Sequence, residues 1–313
     1  MPEIFEIVII AAPPSESGLR QHIASVDWMR GNKPSGQLSA SSHQQEARRL
    51  PTGYHQVMER PRPIWLKIID WVTTIPMLIA FGTTLVLGDI AARLARLFGF
   101  RPMEVAIGAA QRVLIWTFRI SGVRLTVDRH PDVLPGKGYI FLSNHQSLFD
   151  VPIFGGILFS NYPKYVAKKE LANWIPLISF NLKHGGNVLI DRGNRIEAVR
   201  AIKEFGATCE ERDVSAVIFP EGTRSRDGNL REFRTAGAAM LLDAAPSLEI
   251  VHTTIDGSWK LLRNKMFPIP FGTRVRIKFD APIDRAPDVD SSSLVAAARE
   301  QIQANLDNWR LPA

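Results

Sequence analysis

After Ile120 the chain alternates between short apolar runs and longer amphipathic ones, and this alternation constrains the fold more than any other feature. Strand-like runs fall at residues 123–128, 139–143, 165–167, 188–190, 214–219, 250–255 and 274–279. Val123, Leu125 and Val127 alternate as one face of a half-buried strand does, whereas Tyr139-Ile140-Phe141-Leu142 is apolar throughout, as in a strand covered on both sides. Helical patterns lie between them at residues 148–159, 195–211 and 235–243. A last helix follows Asp290, with Leu294, Ala298, Ile302 and Leu306 at four-residue steps. Strands separated by helices predict an α/β fold, a mixed and largely parallel sheet covered by helices. With 45% hydrophobic residues, the 313-residue chain can fill such a core.

The segment before this region has a different character. Residues 71–88, WVTTIPMLIAFGTTLVLG, contain no charge. As a helix they would extend about 27 Å, against a hydrocarbon thickness of about 30 Å. Pro76, Gly82 and the threonines interrupt the run, and Asp89 is placed to cap a following helix with Ile90, Leu94, Leu97 and Phe98 opposite Arg93 and Arg96. Arg60, Arg62 and Lys67 flank one side and Arg93, Arg96 and Arg101 the other, so basic residues give no orientation. We read residues 61–120 as a membrane-associating helical segment that spans, re-enters or lies in the interface; a buried core helix is the competing reading. Residues 1–60 read as a disordered tail. Their apolar run at 4–12 carries Glu3 and Glu6 where a secretory signal needs positive charge, and the rest is rich in Ser, Gln, Arg and Pro.

The formal charge of +7 suits an anionic partner, whether nucleic acid, lipid surface, phosphorylated substrate or acidic carrier. No aromatic-basic nucleic-acid module is present, which leaves nucleic acid out of the expected partners. The single cysteine, Cys209, excludes an internal disulfide framework and a cysteine-based zinc cluster.

Three polar clusters follow three apolar strands. Ligands of open α/β sheets gather at the carboxyl ends of strands. His145 follows the strand at 139–143, and Asp150 stands five residues on. A histidine can accept a hydroxyl proton, and a carboxylate on its far nitrogen fixes the tautomer and stabilises the imidazolium. The spacing alone carries little, because His22 and Asp27 repeat it in the polar tail. Phe219-Pro220-Glu221-Gly222-Thr223-Arg224 follows a second strand: Gly222 permits close backbone approach and Arg224 offers a planar fork to a phosphate. A third strand, at 188–190, delivers Arg192 to its end. Each cluster alone could be an ordinary surface feature. Together they describe a base, its orienter and arginines aimed at one crevice. The Gly-x-Ser-x-Gly elbow and the P-loop pattern are both missing, which points to direct attack assisted by a base, without metal or covalent enzyme intermediate.

Here the chain resembles the glycerolipid acyltransferase family, which includes the 1-acylglycerol-3-phosphate acyltransferases. Asn144-His145-Gln146-Ser147-Leu148-Phe149-Asp150 looks like its first motif, 186–192 its second and 219–224 its third, with Val166-Ala167-Lys168-Lys169-Glu170-Leu171 between the first two. The resemblance covers roughly residues 122–282 and implies a catalytic domain over 121–313. It implies His145 as the general base and Asp150 as its partner, with Arg192, Glu221, Gly222, Thr223 and Arg224 holding the acceptor's phosphate. The implied reaction moves a fatty acyl group from acyl-CoA or acyl carrier protein to the free hydroxyl of 1-acylglycerol 3-phosphate, giving phosphatidic acid, with no cofactor. Competing readings are another lyso-lipid or glycerol 3-phosphate as acceptor, or a non-catalytic lipid-binding member. A membrane-associated protein with its active site on the cytoplasmic face is expected. One departure stands out: His252 lies where the family's fourth motif has proline, and is expected to be a polar residue lining a pocket. The run Trp259-Lys260-Leu261-Leu262-Arg263 reads either as an interfacial patch or as an ordinary connection.

Overall fold

The computed structural model describes residues 62–191, 193–285 and 289–311; the expected tail, residues 1–60, lies outside them. Its seven strands are β1 (Arg124–Arg129), β2 (Tyr139–Ser143), β3 (Lys164–Lys168), β4 (Val188–Ile190), β5 (Ala216–Ile218), β6 (Glu249–Asp256) and β7 (Arg274–Phe279). They form one sheet in the order β1-β7-β6-β2-β5-β3-β4. Every neighbouring pair is parallel except β6 and β7. The sheet is therefore mixed and mostly parallel, as the alternation of patterns predicts.

Side chains of alternate parity sort into two cores. Tyr139, Phe141, Val217 and Val251 face a layer built by α1 (Ile64–Arg96), α2 (Phe100–Thr117) and α3 (Asp150–Ile157), which contribute Met77, Phe81, Ile107, Leu114, Ile153 and Phe154. Ile140, Leu142, Ile218 and Ile250 face the opposite layer, made by α5 (Arg195–Glu211), α6 (Thr235–Ala244) and α7 (Ser291–Arg310). A short helix, α4 (Ile178–His184), stands between β3 and β4; its 7 residues, about two turns, carry too little period to be read from sequence.

Helix α1 corrects the sequence reading at Asp89. It runs 33 residues without a break, through Pro76 and past Asp89. Asp89 does not start a second helix; its carboxylate accepts the Leu177 N–H at 2.9 Å and pairs with Arg93 at 2.6 Å. Tertiary docking outweighs the proline's missing donor. Asp70, Thr74, Met77, Phe81, Gly88 and Ala92 make a continuous buried stripe along it. Asp70 Oδ1 accepts the Phe271 N–H at 2.7 Å, and the Thr74 hydroxyl accepts that of Ile269 at 2.9 Å. The remaining faces carry large apolar side chains in the open, among them Trp65, Trp71, Ile79, Leu87 and Leu94. By length and composition α1 could cross a membrane.

Candidate active site

Strand β2 is wholly buried and ends at Ser143, so the chain must turn at the sheet's carboxyl edge. Asn144 secures that turn. Its side-chain amide donates to Ile255 O and its carbonyl accepts Ile255 N–H, both at 2.8 Å, which ties the turn to neighbouring β6. His145 follows, and α3 starts at Asp150.

The imidazole and carboxylate meet. His145 Nδ1 and Asp150 Oδ2 are 2.8 Å apart. Asp150 is fully buried and stands in the first turn of the helix, where the same oxygen also collects the Gln146 and Ser147 N–H groups at 2.7 and 2.8 Å. Its other oxygen accepts the Ser258 hydroxyl at 2.6 Å. Both oxygens of the carboxylate are engaged as acceptors, which places the histidine proton on Nδ1 and leaves a lone pair on Nε2. The ring stacks on Phe219 with centroids 4.2 Å apart and planes 19° apart. Its side chain keeps 17% exposure, so the free nitrogen remains reachable.

The loop after β5 closes against the histidine. Ser225 N–H donates to His145 O at 2.7 Å. Glu221 is buried, and its two oxygens accept the backbone N–H groups of His145 at 2.7 Å and Arg231 at 3.1 Å. It is therefore a strut between two loops, with both oxygens engaged by backbone donors. Burial pushes its carboxyl up to about 7 despite the two N–H donors. Gly222 adopts φ +65°, and a Cβ there would come 3.2 Å from Arg234 Cδ, so the glycine is needed for the turn. Thr223 is exposed and Arg224 half-buried. Neither makes a hydrogen bond or ion pair among the described residues, which leaves the Arg224 guanidinium available to a ligand. Arg192 lies outside the described residues.

Other side chains take places the sequence did not announce. Ser258 is 108 positions from the carboxylate it caps, and no spacing rule could link them. His252 does not face the dyad's helix layer. It shares a sheet face with Ile250, is 5% exposed, and its Nε2 finds no hydrogen-bond partner. Burial pulls it down to about 4, so it is a neutral core histidine. Trp259 belongs to a short 3₁₀ turn at Ser258–Leu262, with Lys260 and Arg263 near its ring, and the run is a packed connection. Among the described residues, no three His, Cys, Asp or Glu side chains gather as metal ligands.

Residues 124–255 match the family model described as acyltransferase. Over those residues the chain is similar to that family. The match begins at β1 and ends within β6, so it contains the dyad and the Glu221 loop, while α1, α2 and α7 lie outside it. A 1-acyl-sn-glycerol-3-phosphate acyltransferase of Limnanthes douglasii is 30% identical over 175 residues, 55% of this chain and 58% of that protein. The protein of the same description from Escherichia coli is 33% identical over 145 residues, 46% of this chain and 58% of its own length. The chain thus spans little more than half of these relatives. The crystal structure of the 1-acyl-sn-glycerophosphate (LPA) acyltransferase PlsC from Thermotoga maritima has the same fold. It aligns with a TM-score of 0.61 at 20% identity, covering 79% of this chain and 99% of that one.

Proposed function

We propose that the protein is an O-acyltransferase that moves a fatty acyl group from an acyl thioester to the free hydroxyl of 1-acylglycerol 3-phosphate, giving phosphatidic acid. The observation that carries this reading is the His145–Asp150 pair with an open Nε2 at the sheet's carboxyl edge. Nε2 removes the hydroxyl proton as that oxygen attacks the thioester carbonyl. The imidazolium formed is stabilised by the Asp150 carboxylate. When the tetrahedral intermediate collapses, the C–S bond breaks, the ester remains on the acceptor, and the thiolate leaves with the proton from His145. No cofactor enters this scheme. Arg224, Thr223 and the Gly222 turn, with Arg192, hold the acceptor's phosphate; a guanidinium supplies paired donors to two of its oxygens. The donor is acyl-CoA or acyl carrier protein, both anionic and matched to the positive balance of the chain.

The docked stripe on α1 supports an interfacial reading of how this protein meets a membrane. It holds the helix to the domain from Asp70 to Ala92, about 33 Å at 1.5 Å per residue, more than the hydrocarbon thickness. A helix so attached cannot span while the domain stays in water. It lies in the interface with its outer face, Trp71, Ile79 and Leu87 included, among the acyl chains, on the cytoplasmic side where acyl thioesters are made. The acceptor and product then need not leave the lipid.

The test is purified full-length protein offered a panel of acceptors (lysophosphatidic acid, glycerol 3-phosphate, a zwitterionic lysophospholipid) with one labelled acyl group on coenzyme A or on carrier protein. Transfer to lysophosphatidic acid is expected; transfer only to a phosphate-free acceptor overturns the assignment. His145→Ala should cut turnover steeply while the protein still folds and floats with vesicles, and undiminished turnover would favour a non-catalytic role for the pair.

A further inference from the structure

Two arginines of α7, Arg299 and Arg310, reach one loop of the site. Residues 220–234 leave β5 and return to start α6, and the Arg234 N–H closes the two ends by donating to Pro220 O at 2.8 Å. This is an Ω-loop, held by a few internal contacts and not by a core of its own. It carries Gly222, Thr223 and Arg224, and Glu221 fixes its inner end to His145. Its outer reach is held from α7. Arg310 Nη2 donates to Gly228 O at 2.8 Å and pairs with Asp256 Oδ1, at the end of β6, at 2.6 Å. Gln146 Nε2 comes within 3.4 Å of the same two oxygens, while the Gln146 N–H donates to Asp150. One carbonyl and one carboxylate are therefore shared between the last helix and the residue next to the base.

We infer that Arg310 is a positioning residue: by pinning the 220–234 loop at Gly228 and holding Asp256 against Gln146, it sets the separation between the phosphate-holding loop and His145. An exposed ion pair of this kind adds little to overall stability. Arg310 is about one-third exposed, and Asp256 less so. What the pair does instead is geometric. A planar fork can hold a carbonyl and a carboxylate at fixed angles, which an ammonium cannot. Without it, the loop's outer half keeps the Arg299–Glu232 pair at 2.7 Å but loses its anchor at Gly228. Arg224, four residues earlier in the chain, then loses its fixed distance from Nε2. Helix α7 lies outside the family match, so this is a property of the chain's own last helix.

The kinetic part of the inference rests on the acyl-transfer reading, and the structural part does not, so the experiment reads both. Full-length wild type, Arg310→Ala and Arg310→Lys are compared by hydrogen exchange on the amides of 220–234, and by kinetics with lysophosphatidic acid and an oleoyl-coenzyme A donor. Arg310→Ala is expected to speed exchange in that loop alone and to raise the acceptor KM about tenfold, with the donor KM unchanged and kcat altered less. Arg310→Lys should recover only part of the loss. Unchanged exchange in the loop overturns the proposal. Faster exchange with an unaltered acceptor KM leaves a merely structural pair and overturns it as well. If wild type transfers nothing to lysophosphatidic acid yet the loop loosens in Arg310→Ala, the acceptor assignment fails and the latch stands.

Discussion

At the residue scale, the chemistry depends on how completely Asp150 is committed. Its carboxylate holds one imidazole, two backbone N–H groups and one hydroxyl, and none of these is replaceable by water because the group is fully buried. Removing the base itself should cost most. His145→Ala is expected to lower kcat by a factor on the order of 10³, within the range that positioned general bases supply, measured as transfer per mole of folded protein. Ser258→Ala tests the far side of the same carboxylate. It deletes a charge-assisted hydrogen bond at 2.6 Å and leaves Oδ1 buried without a donor, so kcat should fall roughly tenfold while the acceptor KM holds. If Ser258→Ala instead raises the KM and spares kcat, Ser258 serves the acceptor and not the dyad. Glu221 shows how far residue chemistry can be read from sequence alone. Its place beside Gly222 and Arg224 suggests a ligand contact, but a side chain's partners depend on where the far limb of its own loop returns. That loop, at Arg231, brings a backbone donor that no local pattern announces.

At the element scale, the strands and most helices were legible because each obeys one local rule. Tyr139–Leu142 is apolar throughout and sits in the middle of the sheet, and Arg195–Glu211 repeats its apolar face through several turns. Elements whose form is set by distant partners were not legible. Helix α1 carries a proline and four threonines yet stays unbroken, because its stripe docks on residues some two hundred positions away. The site was legible as three motifs at strand ends, and its geometry confirms that the first and third come together. The braces from Ser258 and Arg310 were hidden, since they come from the far end of the chain. The loop at 225–229 offers a test of how tightly those braces fit. Gly228 has φ +81°, and a Cβ there would fall 2.3 Å from Trp259 Nε1. Gly272 has φ +76°, but a Cβ there would meet nothing within 4 Å. Gly272→Ala thus pays only backbone strain, about 1–2 kcal/mol, whereas Gly228→Ala must also push the loop off the tryptophan. Both variants should melt earlier. Only Gly228→Ala should raise the acceptor KM and shift the tryptophan fluorescence, and equal kinetics for the two would mean the loop tolerates displacement.

At the scale of the whole molecule, two buried titrating groups pull stability in opposite directions with pH. Burial holds His252 down at about 4, against 6.5 when free. Between those values the unfolded chain binds a proton that the folded one refuses, so this contribution to stability grows as pH rises from about 4 to 6.5 and is lost on acidification. Burial holds Glu221 up at about 7, against 4.5 when free. There the folded chain binds the extra proton, so stability falls as pH rises from about 4.5 to 7. Each shift corresponds to about 3 kcal/mol at most, and the two windows overlap almost entirely. Their effects on the wild-type melting temperature should largely offset each other between about pH 4.5 and 6.5. Removing one member uncovers the other. Glu221→Gln should melt at steadily higher temperature as pH rises across that interval, and His252→Val should do the reverse. The double variant should restore a shallow profile. The measurement is a set of thermal melts at constant ionic strength. Wild type and Glu221→Gln running parallel would show that the Glu221 carboxyl takes up no proton in the fold. The strut beneath His145 would then be an ionised carboxylate across the whole interval, held entirely by its two backbone donors.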